Sequence, residues 1–367
     1  MSLSWSTLEV DAFHFCIGES MKYLLTKSLI TTAGITFLTL LSPFKTLGAT
    51  FDSFQVFGDS LSDPGNLYKL TGNIYPPSPP YANGRFSNGP LWIEYLQQDF
   101  GLPNSAVLNL AYGGATSGRQ NVAELLFGGD FPGLLDEIDE FVANLFLSTF
   151  DARDLFVVWA GANDYLFGFS DDPDAVVGNI IAAVQTLISP GVGAKTVIVP
   201  NLPDLGKLPS QAGKTKMTDL ALEHNQKLAT ALQALQNAPS TAATLIPLDI
   251  YSLFENTYND PSRYGLTNVA DACLNTTTGQ ICANPSEYLF WDGFHPTTVT
   301  HQAIAGLAST TLTSVPEPDA TGAIVIVAFV GLGVKVAQVT MKRKANRASD
   351  PAFRVKAVEG RSKSLLR

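Results

Sequence analysis

The sequence predicts one α/β domain with a largely parallel sheet over residues 50–314 of the 367-residue chain. Two patterns carry that reading. Short apolar runs alternate with helical patterns, the mark of strands joined by crossover helices. Three successive runs also end in small or polar residues, as strands do where an open sheet faces a ligand crevice. No internal repeat and no Pro/Ser-rich linker divides the stretch.

Taken in order, the expected strands are Phe54 to Phe57, Val107 to Ala111, Leu155 to Trp159, Thr196 to Val199 and Thr244 to Leu248. Helical patterns cover Pro90 to Phe100, Leu134 to Leu147, Pro173 to Ile188, Met217 to Leu235 and Thr297 to Leu312. In the longest, Leu220, Leu228, Leu232 and Leu235 recur at helical spacing beside Glu223, Lys227 and Gln233. The Gly, Pro and Tyr-rich stretch from Thr71 to Pro90 is too long for a tight connection, so it is expected to loop over the face where the strands end. Its Tyr75, Tyr81 and Phe86 are candidates for lining a substrate groove, with turn packing as the alternative.

Charge is placed unevenly. Between Thr50 and Asp319 there are ten basic and 28 acidic residues, a net charge of −18 with His neutral. Such a surface repels phosphate backbones and removes nucleic acid from the partners to consider.

Both ends read as processing signals. Lys22 and Lys27, the apolar run Leu29 to Leu41 and the small residues Gly48 and Ala49 have the three-part layout of a secretory signal peptide over residues 21–49. A buried core helix is the alternative for that run. Glu9, Asp11 and Glu19 do not suit a positively charged leader, so residues 1–20 read as an upstream extension with Met21 as the start.

At the far end Val315-Pro316-Glu317-Pro318 precedes an apolar segment from Ala320 to Val339, then Lys342, Arg343, Lys344 and Arg347. The length suits a membrane-spanning helix and the basic cluster a cytoplasmic stop. Residues 315–347 resemble the PEP-CTERM sorting signal of bacterial surface proteins. That resemblance implies a sorting protease cutting near the Pro-Glu-Pro. Lys335 within the segment and the basic tail 348–367 depart from the pattern. An ordinary permanent anchor is the alternative, and either reading places the domain outside the cytoplasm.

Cysteine use agrees with export. Cys16 lies upstream of the mature domain, leaving Cys273 and Cys282 around the polar stretch Leu274 to Ile281, where an oxidising compartment predicts a disulfide. A metal site needs further ligands, and no nearby His or Cys cluster supplies them. No cofactor is expected.

The chemistry lies at the strand ends. The first strand runs into Gly58-Asp59-Ser60-Leu61, so Ser60 sits where a strand turns into a loop. The second ends in Asn109-Leu110-Ala111-Tyr112-Gly113-Gly114 and the third in Gly161-Ala162-Asn163-Asp164. A glycine permits close backbone approach, and an Asn side chain adds an uncharged donor. With the N–H of Ser60 these make an oxyanion hole for acyl transfer. A turn glycine and a strand-end cap are the structural alternatives for Gly114 and Asn163.

A serine hydroxyl needs a base, usually an imidazole held in one tautomer by a carboxylate. Between the two signals only His224, His295 and His301 are available, and His224 and His301 fall inside helical patterns. His295 precedes Pro296, a residue suited to opening a helix, and so lies on a loop with Asp292 three positions earlier. From there the carboxylate can reach Nδ1 while Nε2 faces Ser60.

These ordered blocks resemble the GDSL lipases and esterases, also called SGNH hydrolases. Gly84-Arg85-Phe86-Ser87-Asn88-Gly89 before Trp92, and Tyr288-Leu289-Phe290-Trp291 ahead of Asp292, extend the resemblance, which covers about Phe51 to Thr313. It implies a three-layer flavodoxin-like fold, a five-stranded parallel sheet between helices. Ser60 matches the nucleophile and an oxyanion donor, Gly114 the glycine donor with Gly113 as its alternative, Asn163 the side-chain donor, His295 the base and Asp292 its orienting partner. No Gly-x-Ser-x-Gly elbow is present, which argues against the ordinary α/β-hydrolase fold.

The expected activity is hydrolysis of a carboxylic ester, of a lipid or an acylated glycan, through an acyl-enzyme on Ser60. Rivals on the same fold are a surface polysaccharide O-deacetylase and a lipid acyltransferase. A noncatalytic surface binding protein is the rival from another class.

Overall fold

The computed structural model describes residues 50–145 and 150–314. Within them five strands form one sheet: β1 (Ser53–Gly58), β2 (Val107–Asn109), β3 (Asp154–Trp159), β4 (Thr196–Pro200) and β5 (Thr244–Leu248). Their spatial order is β2-β1-β3-β4-β5 and every neighbouring pair is parallel. This is the flavodoxin-like order, in which the direction of winding reverses between β1 and β3 and leaves a crevice at their carboxyl ends.

Nine α-helices lie among the described residues: α1 (Asn66–Leu70), α2 (Trp92–Asp99), α3 (Ala123–Phe127), α4 (Leu134–Ala143), α5 (Ala162–Leu166), α6 (Pro173–Ile188), α7 (Thr215–Gln236), α8 (Ile250–Asn259) and α9 (Thr298–Ser314). They cover both faces of the sheet, whose inner strands bury apolar side chains on each face. On β3, Leu155, Val157 and Trp159 pack towards α2, α8 and α9, while Phe156 and Val158 pack towards α4, α6 and the later turns of α7. Truncating a fully buried aromatic such as Phe156 to Ala should cost about 3–5 kcal/mol.

The five expected strands and five expected helices all appear; β5 and α6 keep their expected limits, other ends shift, and the expected end at Leu147 lies outside the described residues. Strand β2 stops at Asn109, short of the expected Ala111, because the Asn109 side chain accepts the N–H of Ala111 and starts a turn. Helices α1, α3, α5 and α8 and strands β6 and β7 were not expected. Helix α8 starts where the Asp249 carboxylate accepts the N–H of Ser252. A separate parallel pair joins β6 (Asn268–Ala272) to β7 (Tyr288–Phe290).

A disulfide joins Cys273, just after β6, to Cys282, and closes the Leu274–Ile281 loop. The N–H groups of Cys273 and Leu274 bond to the carbonyls of Phe290 and Trp291, so the stapled loop holds the strand that leads into Asp292. The expected leader, upstream extension, C-terminal signal with its apolar helix, and basic tail lie outside the described residues. Among the described residues no helix is long and apolar enough to cross a membrane.

Candidate active site

Strand β1 must come very close to β3 before it turns. A Cβ on Gly58 would sit 2.2 Å from the Trp159 carbonyl oxygen, and the residue has φ +149°, so only glycine fits. Its N–H donates to the buried Glu137 carboxylate at 2.7 Å. The chain then makes a tight turn in which the Asp59 carbonyl accepts from the N–H groups of Ser62 and Asp63. Ser60 stands at the top of that turn, at the β1/β3 crevice, and is 6% exposed.

From the far end of the chain the loop 291–297 brings His295 to the same point. Its Nε2 lies 2.8 Å from Ser60 Oγ, and its Nδ1 lies 2.8 Å from Asp292 Oδ2. Asp292 Oδ1 accepts the N–H groups of Phe294 and His295 at 2.8 and 2.7 Å, which fixes the carboxylate within its own turn. Oδ2 accepts a further bond from the Tyr81 hydroxyl. Burial works against charge on Asp292, but neighbouring His295, its Nδ1 bond, the Tyr81 hydroxyl and the Phe294 N–H together hold the carboxyl below its ordinary range.

Donors surround the serine. Gly113 and Gly114 follow β2, but they differ in use. The N–H of Gly113 donates to Asp63 Oδ2 at 2.7 Å, whereas among the described residues that of Gly114 has no protein acceptor. Gly114 holds φ +82°, and a Cβ there would lie 2.6 Å from Asn121 Oδ1. Asn163, in the first turn of α5, spends one amide hydrogen on the Ala115 carbonyl at 2.9 Å and keeps the other. Asp164 beside it accepts both the N–H and the hydroxyl of Ser117 at 2.8 Å. The glycine turn and α5 are thus tied together twice.

The other two histidines among the described residues are structural. His224 is fully buried on α7, its Nδ1 3.0 Å from the Tyr165 hydroxyl, and burial pulls it down to about 4. His301 is fully buried on α9, where its Nδ1 accepts the N–H of Trp92, and burial pulls it down to about 3. Both are neutral packing groups near neutral pH.

Above these groups lies a cavity of about 570 Å³, within the range of small-molecule sites. Tyr75, Tyr81 and Phe86 from the long loop line it, so of the two expectations for those residues groove lining is the one observed. Phe86 also stacks at 5.0 Å on the His295 ring. The opposing lining from Leu202, Leu205, Ile250 and Phe254 is apolar.

A family model for GDSL-like lipases and acylhydrolases matches residues 55–307, which includes all of these groups. The chain belongs to this family. GDSL members are hydrolases acting on ester bonds. A phosphatidylcholine-sterol acyltransferase of Aeromonas hydrophila is 33% identical over 316 residues, covering 72% of this chain and 91% of that protein. A GDSL esterase/lipase of Arabidopsis thaliana is 24% identical, covering 70% and 87%. A secreted effector protein of Salmonella typhimurium is 31% identical, and the match covers 68% of this chain and 60% of that protein.

Sequence reasoning missed part of this GDSL site. Tyr81 was expected near the groove, not on Asp292. Glu137, Asp63 and Asp59 were not singled out at all. A signal existed for Glu137: it follows Leu134 by three positions and precedes Phe141 by four, on the apolar face of α4. Asp63 takes N–H groups from Gly65, Asn66, Leu67 and Gly113, the work of a carboxylate that organises a turn.

Proposed function

We propose that the chain cleaves carboxylic esters through an acyl-enzyme on Ser60. His295 Nε2 takes the hydroxyl proton as Ser60 Oγ bonds the ester carbonyl carbon. The N–H groups of Ser60 and Gly114 and the Asn163 amide receive the oxyanion. Collapse breaks the bond to the alcohol, which leaves with the proton from His295. Water then repeats both steps, its proton passing to His295 and back to Ser60 as the acid departs. Asp292 orients the imidazole and stays ionised throughout.

One observation carries this reading: an unbroken series of bonds from Ser60 Oγ through His295 to Asp292, at 2.8 Å each, opening on an apolar cavity. The test is turnover of short-chain nitrophenyl esters by the wild type and by Ser60→Ala. Loss of at least about a thousandfold in kcat is expected, and full activity in the variant would remove the nucleophile assignment.

A second reading is favoured by the relative named an acyltransferase: the same acyl-enzyme handing its acyl group to an alcohol. Adding a long-chain alcohol at fixed ester separates the two, since transfer makes new ester at the expense of free acid.

Export is part of the proposal. The leader over residues 21–49 supports it, as do the bonded Cys273 and Cys282 and the secreted relative. N-terminal sequencing of protein recovered outside the cytoplasm should find the chain beginning near Thr50.

A further inference from the structure

The cavity is apolar at its mouth as well as inside. Helix α3 presents three consecutive large apolar side chains, and all face solvent: Leu125 is 64% exposed, Leu126 55% and Phe127 44%. Leu125 and Leu126 also line the cavity, and so does the exposed Phe167, which follows the helix bearing Asn163. The Phe127 ring lies 5.7 Å from that of Tyr75, a cavity residue whose neighbour Ile74 is 65% exposed. Apolar surface therefore runs from the cavity wall out onto the rim. A run of three exposed apolar residues is avoided on solvated surfaces unless something covers it in use.

We propose that this rim docks the protein on the surface of a neutral or zwitterionic lipid aggregate, from which the ester substrate enters the cavity. Two features choose that occupant. The rim is continuous with the cavity, and only a surface that also delivers the substrate has a use for that continuity. The domain over residues 50–314 has a net charge of −16 with His neutral, and Glu124 and Asp130 flank the apolar run in sequence, so it repels an anionic surface. The inference rests on the esterase reading of the same cavity and narrows its substrate to an ester with an apolar chain.

The test uses the full chain carrying Ser60→Ala, so that on that reading the lipid is not consumed. Hydrogen–deuterium exchange of peptides spanning Asn121–Phe131 is followed with phosphatidylcholine vesicles, and with vesicles mixing phosphatidylcholine and phosphatidylserine. Exchange over α3 should slow with the zwitterionic vesicles, and less with the anionic ones. In the Leu125→Ser, Leu126→Ser, Phe127→Ser variant that protection should disappear. In the Ser60-bearing chain the same three substitutions should lower the ratio of turnover on phosphatidylcholine dispersions to turnover on a dissolved short-chain ester by about tenfold or more. Unchanged exchange over α3 while the protein binds vesicles would overturn the proposal. So would an equal fall on both substrates, or a dimer in the ultracentrifuge that the substitutions dissociate. Because exchange needs no turnover, an active Ser60→Ala would defeat the nucleophile assignment and leave this result readable.

Discussion

The Tyr81 hydroxyl donates to Asp292 Oδ2 at 2.5 Å, across 211 positions of sequence. That oxygen also faces His295 Nδ1, so the long loop over the strand ends is fastened to the carboxylate bonded to His295. Tyr81→Phe keeps the ring packed on Trp291 and Phe86 and removes only the bond. The bond helps hold Asp292 below its ordinary range, so without it the carboxyl protonates at a higher pH and releases Nδ1 there. The acid limb of the kcat/KM profile should move up, with kcat at neutral pH lowered about tenfold. A profile that superimposes on the wild type would show that Tyr81 only fills space.

Asn163→Ala tests the proposed oxyanion donors separately from the proposed nucleophile. The amide would meet charge that exists only in the transition state, so kcat should fall about a hundredfold while KM changes little. An equal rise in KM with kcat preserved would assign Asn163 to ground-state binding.

The Cys273–Cys282 link closes a short loop beside the strand that enters the reactive turn. Replacing both by Ser should cost about 2–3 kcal/mol in urea unfolding. Intact-mass measurement of unreduced exported protein should find the two thiols bonded. Two free thiols there would contradict the link.

Asp59 is buried beside Ser60, and burial raises its carboxyl from the ordinary 3.8 to about 7, against the bond from the Leu61 N–H. Between those values the unfolded chain carries the charge and the folded chain holds the proton. The folded state binds more protons, so stability falls as pH rises through that window and levels off above it. Asp59→Asn removes the titration. Its stability relative to wild type should grow from pH 4 to pH 7 by a few kcal/mol at most, of order the pKa difference. Urea unfolding at a series of pH values reads this, and a pH-independent difference would contradict it.

What was legible followed from periodicity and chain order. Strands β1, β3 and β4 are buried on both faces and bounded by turn residues, so their runs stand out; Pro173–Ile188 keeps its expected limits because Asp172 and Pro173 mark its start. Helix α8 was illegible because Ile250, Tyr251, Thr257 and Tyr258 are β-branched or aromatic and read equally well as strand. The parallel pair β6 and β7 was hidden by its short, half-exposed strands. At the site, Ser60, His295 and Asp292 were legible because each sits in a local pattern. Tyr81 and Glu137 were not, since what they do depends on partners brought together only by the fold.

The central claim is that Ser60 is the one hydroxyl activated by His295. Labelling the folded protein with a fluorophosphonate and mapping the adduct by peptide mass spectrometry tests it most directly. A single adduct on Ser60 is expected, lost in both Ser60→Ala and His295→Ala. An adduct on any other residue, or none on active folded protein, would contradict it.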